Sequence, residues 1–325
     1  MYQIDNASAA MSQPASTAAG TAGFFTDGNP ATATPATIVP AEWLNSVMME
    51  LINVVNAGGV TPTKNQFNNV LTALKNSFSP VVGSARNLVM GVGTASATAT
   101  LTADEIIVET ALGGQTYRLA NFNKTINLAT TGAGGMDAGS APTSGYVALY
   151  AIYNPTTGAS ALLAKNATSA VQPNVYGGGN MPAGYTASAL VSVWPTNGSG
   201  QFPIGYQRDR SVDINSVTTL SSSTTQASPT ALNISTAVPP NAVSVSGTVA
   251  VASSAASTTS LYLASTSTAG VGIQGVNYST TAASGGGSSV VFRNLRLSVA
   301  QQMYYYSVNS AGTPTYTIAI SSYDF

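Results

Sequence analysis

Apolar residues recur at helical spacing in one short part of the chain, near its beginning. Residues 40–57 carry a stripe that ends at two glycines, and Pro40 suits the first turn of a helix. A second stripe starts after Thr61 and Pro62, which match a helix N-cap and first position, and it ends before Pro80. The stripes consist of Trp43, Val47, Leu51, Val54 and Val55, then Phe67, Val70, Leu71, Leu74 and Phe78. The spacing therefore predicts a helical hairpin that is too small to have an independent core.

After Pro80 the pattern changes to short runs of β-branched and aromatic residues separated by Gly, Pro and Asn clusters, which is typical of strands. Strands are predicted at 104–110, 116–120, 125–129, 145–154 and 187–194, and at 242–251, 260–264, 289–299, 302–308 and 315–321. The fold class predicted from them is mainly β, with a C-terminal antiparallel β-sandwich of jelly-roll-like type. The sequence has no fixed-period repeat, which disfavours a solenoid.

Composition shifts along the chain predict three domains. Residues 1–38 are rich in Ala, Ser, Thr, Gly and Pro and predict an extended arm, so residues 1–80 are an arm followed by the helical hairpin. Residues 81–210 are predicted to be a central β-rich domain. Residues 211–325 contain four charged residues and are predicted to be a separate C-terminal domain.

Charged residues make up 6% of the sequence and hydrophobic residues 44%. Soluble proteins have about 25% charged residues, yet the hydrophobic share is too high for a disordered chain. The net charge is −1 and the ten basic residues are scattered, so a nucleic-acid partner is not expected. Without cysteine there are no disulfides, and stability must come from packing or from oligomerisation.

The residue types argue against an enzyme. Histidine and cysteine are absent, which excludes Ser-His-Asp and Cys-His arrangements, and no lysine lies in a Ser-x-x-Lys pattern. The glycine runs at 132–135, 177–179 and 285–287 lack the residues of a phosphate-binding loop and are predicted to be ordinary loops. We therefore predict no catalytic residues, no cofactor and no metal site.

One group of acids leaves an alternative open. Glycoside hydrolysis needs only two carboxylates, and Asp104, Glu105 and Glu109 lie close together in the sequence. On a strand Glu105 and Glu109 share one face while Asp104 points to the other. The favoured interpretation is a solvated strand face.

Neither a secretory signal nor an apolar run of roughly 20 residues is visible in the sequence. A chain that is suited to the outside of a cell and has no visible export signal suggests release by cell lysis. We therefore expect synthesis in the cytoplasm of a cell and release from there by lysis.

Two segments near the N-terminus carry a resemblance to a known class of protein. GFFTDGNP at 23–30 and PATIVPAEWLN at 35–45 form a pattern that resembles the N-terminal motif of bacteriophage tail fibre and tail-fibre-like proteins. Further segments resemble such proteins: GYVALYAIYN (145–154), MPAGYTASALVSVWPTN (181–197), GQFPIGYQRDR (200–210) and, more loosely, NISTAVPPNAVSVSG (233–247) and TIAISSYDF (317–325).

The resemblance implies an elongated homotrimer located in the phage tail. Its N-terminal segment would attach to other tail proteins, and its C-terminal tip would bind a host surface polysaccharide or an outer-membrane receptor. Closed symmetry would also cover edge strands that otherwise aggregate. The alternatives are a purely structural tail or collar adaptor fibre and a small polysaccharide depolymerase tailspike.

Aromatic side chains are the candidate contact residues at both ends. Phe24, Phe25, Asp27 and Trp43 are the candidates for virion docking, although the aromatics could instead pack locally on the helices. The candidates for receptor contact are Tyr262, Tyr278, Arg293, Arg296, Tyr305 and Tyr316.

Strand geometry limits which of the receptor-contact candidates can act together. Tyrosine offers an apolar face for sugar rings and a hydroxyl for hydrogen bonds. In the run 304–306, strand alternation sends one set of side chains inward and the other outward. On a continuous strand Arg293 and Arg296 would face opposite ways, so at most one would reach a shared ligand surface.

Overall fold

A computed structural model describes residues 2–77 and 80–325. Strands hold 43% of the chain and helices 9%, and the pairings between the named strands are antiparallel. This confirms the prediction of a mainly β fold. The chain divides into two compact units, Met1–Ser79 with Gly113–Gln115, and Pro80–Leu112 with Thr116–Phe325.

The first unit contains a 3-10 turn, Pro30–Thr32, and two helices, α1 (Ala41–Ala57) and α2 (Asn69–Ser77). Helix α1 follows Pro40 and ends at Gly58, as its sequence predicts. Gly58 leaves no room for a side chain because Ala73 of α2 lies directly against it. This close approach lets the two short helices pack together.

Helix α2 begins later than its sequence predicts. Asn65 has a left-handed backbone with φ of 66°, which interrupts any helix that starts at Pro62. The side-chain amide of Asn69 donates to the carbonyl oxygen of Thr63 at 3.3 Å and closes the turn before the helix. Phe67 therefore lies outside the helix and is fully exposed, and Phe78 falls outside the described residues.

The second unit contains sixteen strands among the described residues. They are β1 (Ala85–Arg86), β2 (Val89–Val92), β3 (Thr98–Glu109), β4 (Thr116–Asn127), β5 (Tyr146–Asn154), β6 (Ala159–Asn166), β7 (Ala187–Pro195), β8 (Gly205–Arg208), β9 (Ser211–Ser222), β10 (Thr230–Asn233), β11 (Ser244–Ser253), β12 (Ser257–Ala264), β13 (Gln274–Thr280), β14 (Gly286–Arg296), β15 (Gln302–Asn309) and β16 (Pro314–Asp324).

These strands form two sheets. The larger has the order β14-β11-β16-β9-β8-β2-β3-β7-β5-β6, with β1 and β4 also paired to β3, and the smaller has the order β10-β15-β12-β13. Strand β9 pairs with β8 on one side and with β16 on the other, so hydrogen bonds cross the predicted boundary between residues 210 and 211. The division into three domains stays a prediction.

Burial follows the apolar pattern of each strand. The central strands β5 and β7 are nearly continuous apolar runs and are buried on both faces. In β11 and β15 burial alternates, so that one face of each packs into the core and the other does not. The buried side chains of the C-terminal strands include Val249, Val251, Leu261, Leu263, Phe292, Met303, Tyr305, Tyr316 and Ile318.

Neither α1 nor α2 has the length and hydropathy that a membrane-crossing helix requires, and the described residues contain no other α-helix.

Candidate functional site

The GFFTDGNP segment folds back on the residues that follow it and forms a compact loop, here called the motif loop, residues 26–37. The amide of Thr37 donates to the carbonyl oxygen of Thr26 at 2.9 Å, and the amide of Thr26 donates to the Thr37 hydroxyl at 3.0 Å. Asn29 and Thr34 exchange two backbone hydrogen bonds of 2.8 and 3.1 Å. The Asn29 side chain also accepts from the amide of Ala31 and caps the 3-10 turn.

Gly28 fixes the shape of the motif loop. Its φ is 74°, and a β-carbon placed there would lie 2.6 Å from the Ala36 nitrogen and from the Thr34 oxygen, and 2.7 Å from the Pro35 carbonyl carbon. Any side chain would collide with backbone that cannot move without breaking the loop. The glycine of the motif is therefore explained by the fold of the loop itself.

The four docking candidates divide into two groups. Phe25 packs edge-to-face on Trp43, with ring centroids 5.2 Å apart, which is the local packing that the alternative interpretation expects. These two rings are still 56% and 46% exposed. Phe24 is 99% exposed, and Asp27 makes no hydrogen bond or ion pair with the described residues. Phe24 and Asp27 thus have no role in holding the first unit together.

The arm before the motif loop lies along the helical hairpin. The Glu42 carboxylate accepts from the Thr17 amide at 2.7 Å and from its hydroxyl at 2.6 Å. The side-chain hydrogen bond is the larger cause of a lowered pKa at Glu42, and the backbone bond adds to it. Lys64 pairs with Asp5 at 2.8 Å. Both pairs are exposed and hold the arm by contacts that water screens.

The acidic group on β3 is spread over different environments. Asp104 accepts a hydrogen bond of 2.6 Å from the Asn87 amide, and Glu105 lies 3.5 Å from the Arg118 guanidinium on the neighbouring strand. Glu109 is 5% exposed, so the expected solvated face is wrong for this residue. It is buried where β3 meets β7, opposite Ser188. The described residues hold no group of three or more acids that could bind a metal ion.

The outer surface of the smaller sheet carries a group of partly exposed tyrosines, here called the tyrosine face: Tyr262, Tyr304 and Tyr306, with Gly275 and Asn277 beside them. Tyr262 on β12 is directly opposite Tyr306 on β15, and their rings stack at 4.9 Å with 24° between the planes. The Tyr262 hydroxyl donates to the Asn277 side-chain oxygen at 2.7 Å, and the Tyr304 hydroxyl accepts from the Gln302 amide at 2.8 Å.

Three of the predicted receptor tyrosines point the other way. Tyr305 is 6% exposed and Tyr316 is fully buried, where its hydroxyl lies 3.1 Å from that of Thr225. Tyr278 is half-buried against the core and lies against Gly286 of β14. The structure therefore removes Tyr305 and Tyr316 from the receptor-contact residues, because side chains enclosed by the sheets offer no surface to a ligand. Of the predicted tyrosines, Tyr262 is on the outer surface.

The two arginines of β14 do not follow the alternation of a continuous strand. A β-bulge near Asn294, whose φ is 50°, makes Phe292 and Leu295 both buried although they are three positions apart. Arg293 and Arg296 are consequently both exposed, which corrects the expectation that they face opposite ways. Both belong to the larger sheet and lie outside the tyrosine face, and neither forms an ion pair within the described part of the chain.

The alternation along β15 groups Tyr304 with Tyr306, and the pairing with β12 shows that this pair faces outward. Met303, Tyr305 and Ser307 alternate with them, and the strand that pairs with β15 has Leu261 and Leu263 as its apolar set. Tyr262 lies between those two leucines and therefore faces outward, and its cross-strand partner must face outward too. Without the pairing, the period of two leaves both orientations open.

Comparisons with known proteins identify no family. No protein-family model matches the chain, and no curated protein matches it. Among solved structures, a tryptic core variant of Cry1Da from Bacillus thuringiensis is similar at 12% identity with a TM-score of 0.19, covering 75% of this chain and 52% of that one. The chain thus spans about half the length of that protein. A TM-score this low carries no information about fold or function.

Proposed function

We propose that this chain is a bacteriophage tail fibre protein. It attaches to other tail proteins through its N-terminal segment and binds the host cell surface through its C-terminal region. The observation that carries the proposal is the resemblance of residues 23–30 and 35–45 to the tail-fibre motif. In this proposal the protein acts by binding, works in the virion tail and is released by host lysis.

The conformation of the motif loop supports the attachment end. Thr26, Gly28, Asn29 and Thr37 are all used to build the loop. Phe24 projects into solvent beside it, and an exposed aromatic side chain on a hydrogen-bonded loop is suited to act as an interface anchor. The proposed partner surface is an apolar pocket on another tail protein.

The strand order supports a jelly-roll tip. If β9 to β16 are counted as strands one to eight, the larger sheet contributes the order 1-8-3-6 and the smaller sheet is 2-7-4-5. Two interlocked Greek keys produce this order, which is the jelly-roll arrangement found in capsid and lectin domains.

The homotrimer is part of the same proposal. Strand β14 has a strand partner on one side only among the described residues, and Val290 and Val291 on it are exposed. An open edge of this kind favours pairing with another chain, and closed symmetry protects it. Three copies would also multiply weak contacts at the tip by avidity.

The test is adsorption blocking by the purified full-length chain. Labelled protein should bind intact cells of a susceptible bacterial host, and an excess of unlabelled protein should reduce phage adsorption to those cells. The particle mass measured by light scattering should be three times the chain mass of 32.7 kDa. A chain that binds no host cell yet is incorporated into virions would instead be a structural adaptor. A chain that joins no virion would contradict the proposal.

A further inference from the structure

We propose that the tyrosine face is a binding site for an uncharged saccharide. The inference rests on the proposed function, since it names the class of host surface molecule that the C-terminal region would bind.

The centre of the face is apolar. The Tyr262 and Tyr306 rings stack on each other across two neighbouring strands, so each ring has one side turned away from its partner. Gly275 lies opposite Tyr262 on the third strand, and a β-carbon there would be 2.8 Å from the Tyr262 ring carbon Cδ1. The absence of a side chain at Gly275 allows the Tyr262 ring to lie over β13. A pyranose ring presents a similar flat face of C–H groups, which pack on aromatic rings.

Hydrogen-bonding groups border the rings. Tyr262 donates to Asn277 Oδ1, so the amide nitrogen of this exposed asparagine stays free to donate to a ligand. Gln302 donates to the Tyr304 oxygen, which leaves the Tyr304 hydroxyl proton free to donate as well. The existing hydrogen bonds hold these side chains in place before a ligand binds, which reduces the entropy lost on binding.

The charge of the face selects the class of saccharide. Strands β10, β12, β13 and β15 contain no Asp, Glu, Lys or Arg. Burial, and to a smaller extent the neighbouring Tyr262, raise the pKa of the Tyr306 phenol, so this ring stays uncharged at neutral pH. None of these four strands supplies a cation to an acidic saccharide; Arg293 lies on β14, where its main chain is bonded by the Gln274 side chain of β13. The expected ligand is therefore neutral.

The experiment measures saccharide binding by the full-length protein. The probes are immobilised neutral oligosaccharides of glucose, galactose, mannose and N-acetylglucosamine, and matched oligosaccharides containing uronic or sialic acid. The variants are Tyr262→Ala, Tyr306→Ala and Asn277→Ala. The matched control is Tyr117→Ala, which removes a ring from another tyrosine pair, Tyr117 and Tyr153, with centroids 5.1 Å apart.

We expect at least one neutral probe to bind, and each ring deletion to weaken that binding about tenfold, as for an aromatic anchor whose truncation costs over 1 kcal/mol. Asn277→Ala should weaken it several-fold while leaving the fold intact, because the side chain is exposed. Tyr117→Ala should leave saccharide binding unchanged.

Three results would overturn the proposal. They are no neutral probe bound at millimolar concentration, binding of acidic probes alone, or equal binding by Asn277→Ala and the native chain. A tyrosine variant that lowers the oligomeric mass instead would show that the face is covered by a second copy. If the native chain adsorbs to host cells while the neutral probes fail, the saccharide proposal is wrong and the tail-fibre proposal still holds. If adsorption itself fails, the tail-fibre proposal is wrong.

Discussion

Replacing Gly28 by alanine should open the motif loop. The β-carbon would lie 2.6–2.7 Å from three backbone atoms, about 1 Å closer than ordinary carbon contacts allow. The loop can relieve this overlap by giving up the hydrogen bonds from the amides of Asn29, Thr34 and Thr37. At about 1 kcal/mol for each bond, these bonds favour the closed loop by about 3 kcal/mol, and the collision in the variant removes that preference. A difference of that size is about a hundredfold in the opening equilibrium.

The assay is residue-resolved amide hydrogen exchange on the full-length protein. The control is Gly59→Ala, since Gly59 also has a positive φ of 70° but has no atom within 4 Å of its β-carbon position. The control variant shares the backbone strain, about 1–2 kcal/mol, and lacks the collision. The amides of Asn29 and Thr34 should exchange about a hundredfold faster in Gly28→Ala than in Gly59→Ala. Equal exchange rates in the two variants would refute the packing argument.

Three further outcomes are expected. Phe24→Ala should leave the unfolding transition unchanged and reduce incorporation into virions. Phe25→Ala should reduce incorporation too, and it should also destabilise the first unit by about 1 kcal/mol in thermal unfolding, because the ring contact is lost. Phe202→Ala should cost about 3–5 kcal/mol in denaturant unfolding, since the ring is fully buried and packs on the core; a cost below 1 kcal/mol would contradict that burial. Burial, followed by the hydrogen bond to Asp137, raises the pKa of Tyr176 to about 12, so the stability that this group contributes should be complete below about pH 10 and be lost as the pH rises towards 12. Tyr176→Phe should make that fall in denaturant midpoint less steep, and an unchanged slope would contradict the assignment.

The strands that the sequence predicted are those with strong apolar alternation or a continuous apolar run. Val245, Val249 and Val251 mark β11 in the sequence, and they are the buried set in the structure. Strands β9 and β13 were missed because they are rich in Ser, Thr and Asn, and their pairing depends on neighbours that the local sequence does not reveal. Helix α2 shows the opposite error, since a good capping signal was overridden by the left-handed turn at Asn65.

The contact residues depended on tertiary structure more than the strands did. Periodicity established that Tyr304 and Tyr305 lie on opposite faces, but only the pairing with β12 decides which of them faces solvent. The bulge that exposes both arginines is fixed from another strand, where the Gln274 side chain bonds both the amide and the carbonyl of Arg293. A long-range contact of this kind leaves no local signal in the sequence.

The continuity of the larger sheet has a mechanical consequence. Val212 on β9 is flanked by Gln207 of β8 and by Tyr323 of β16, and the Tyr323 hydroxyl donates to the Val193 oxygen at 2.6 Å. Tension applied to the C-terminal strands passes into the centre of the sheet through several main-chain hydrogen bonds that are strained in shear together. Main-chain hydrogen bonds join β9 directly to β8 and to β16, so tension is transmitted between these strands without an intervening hinge.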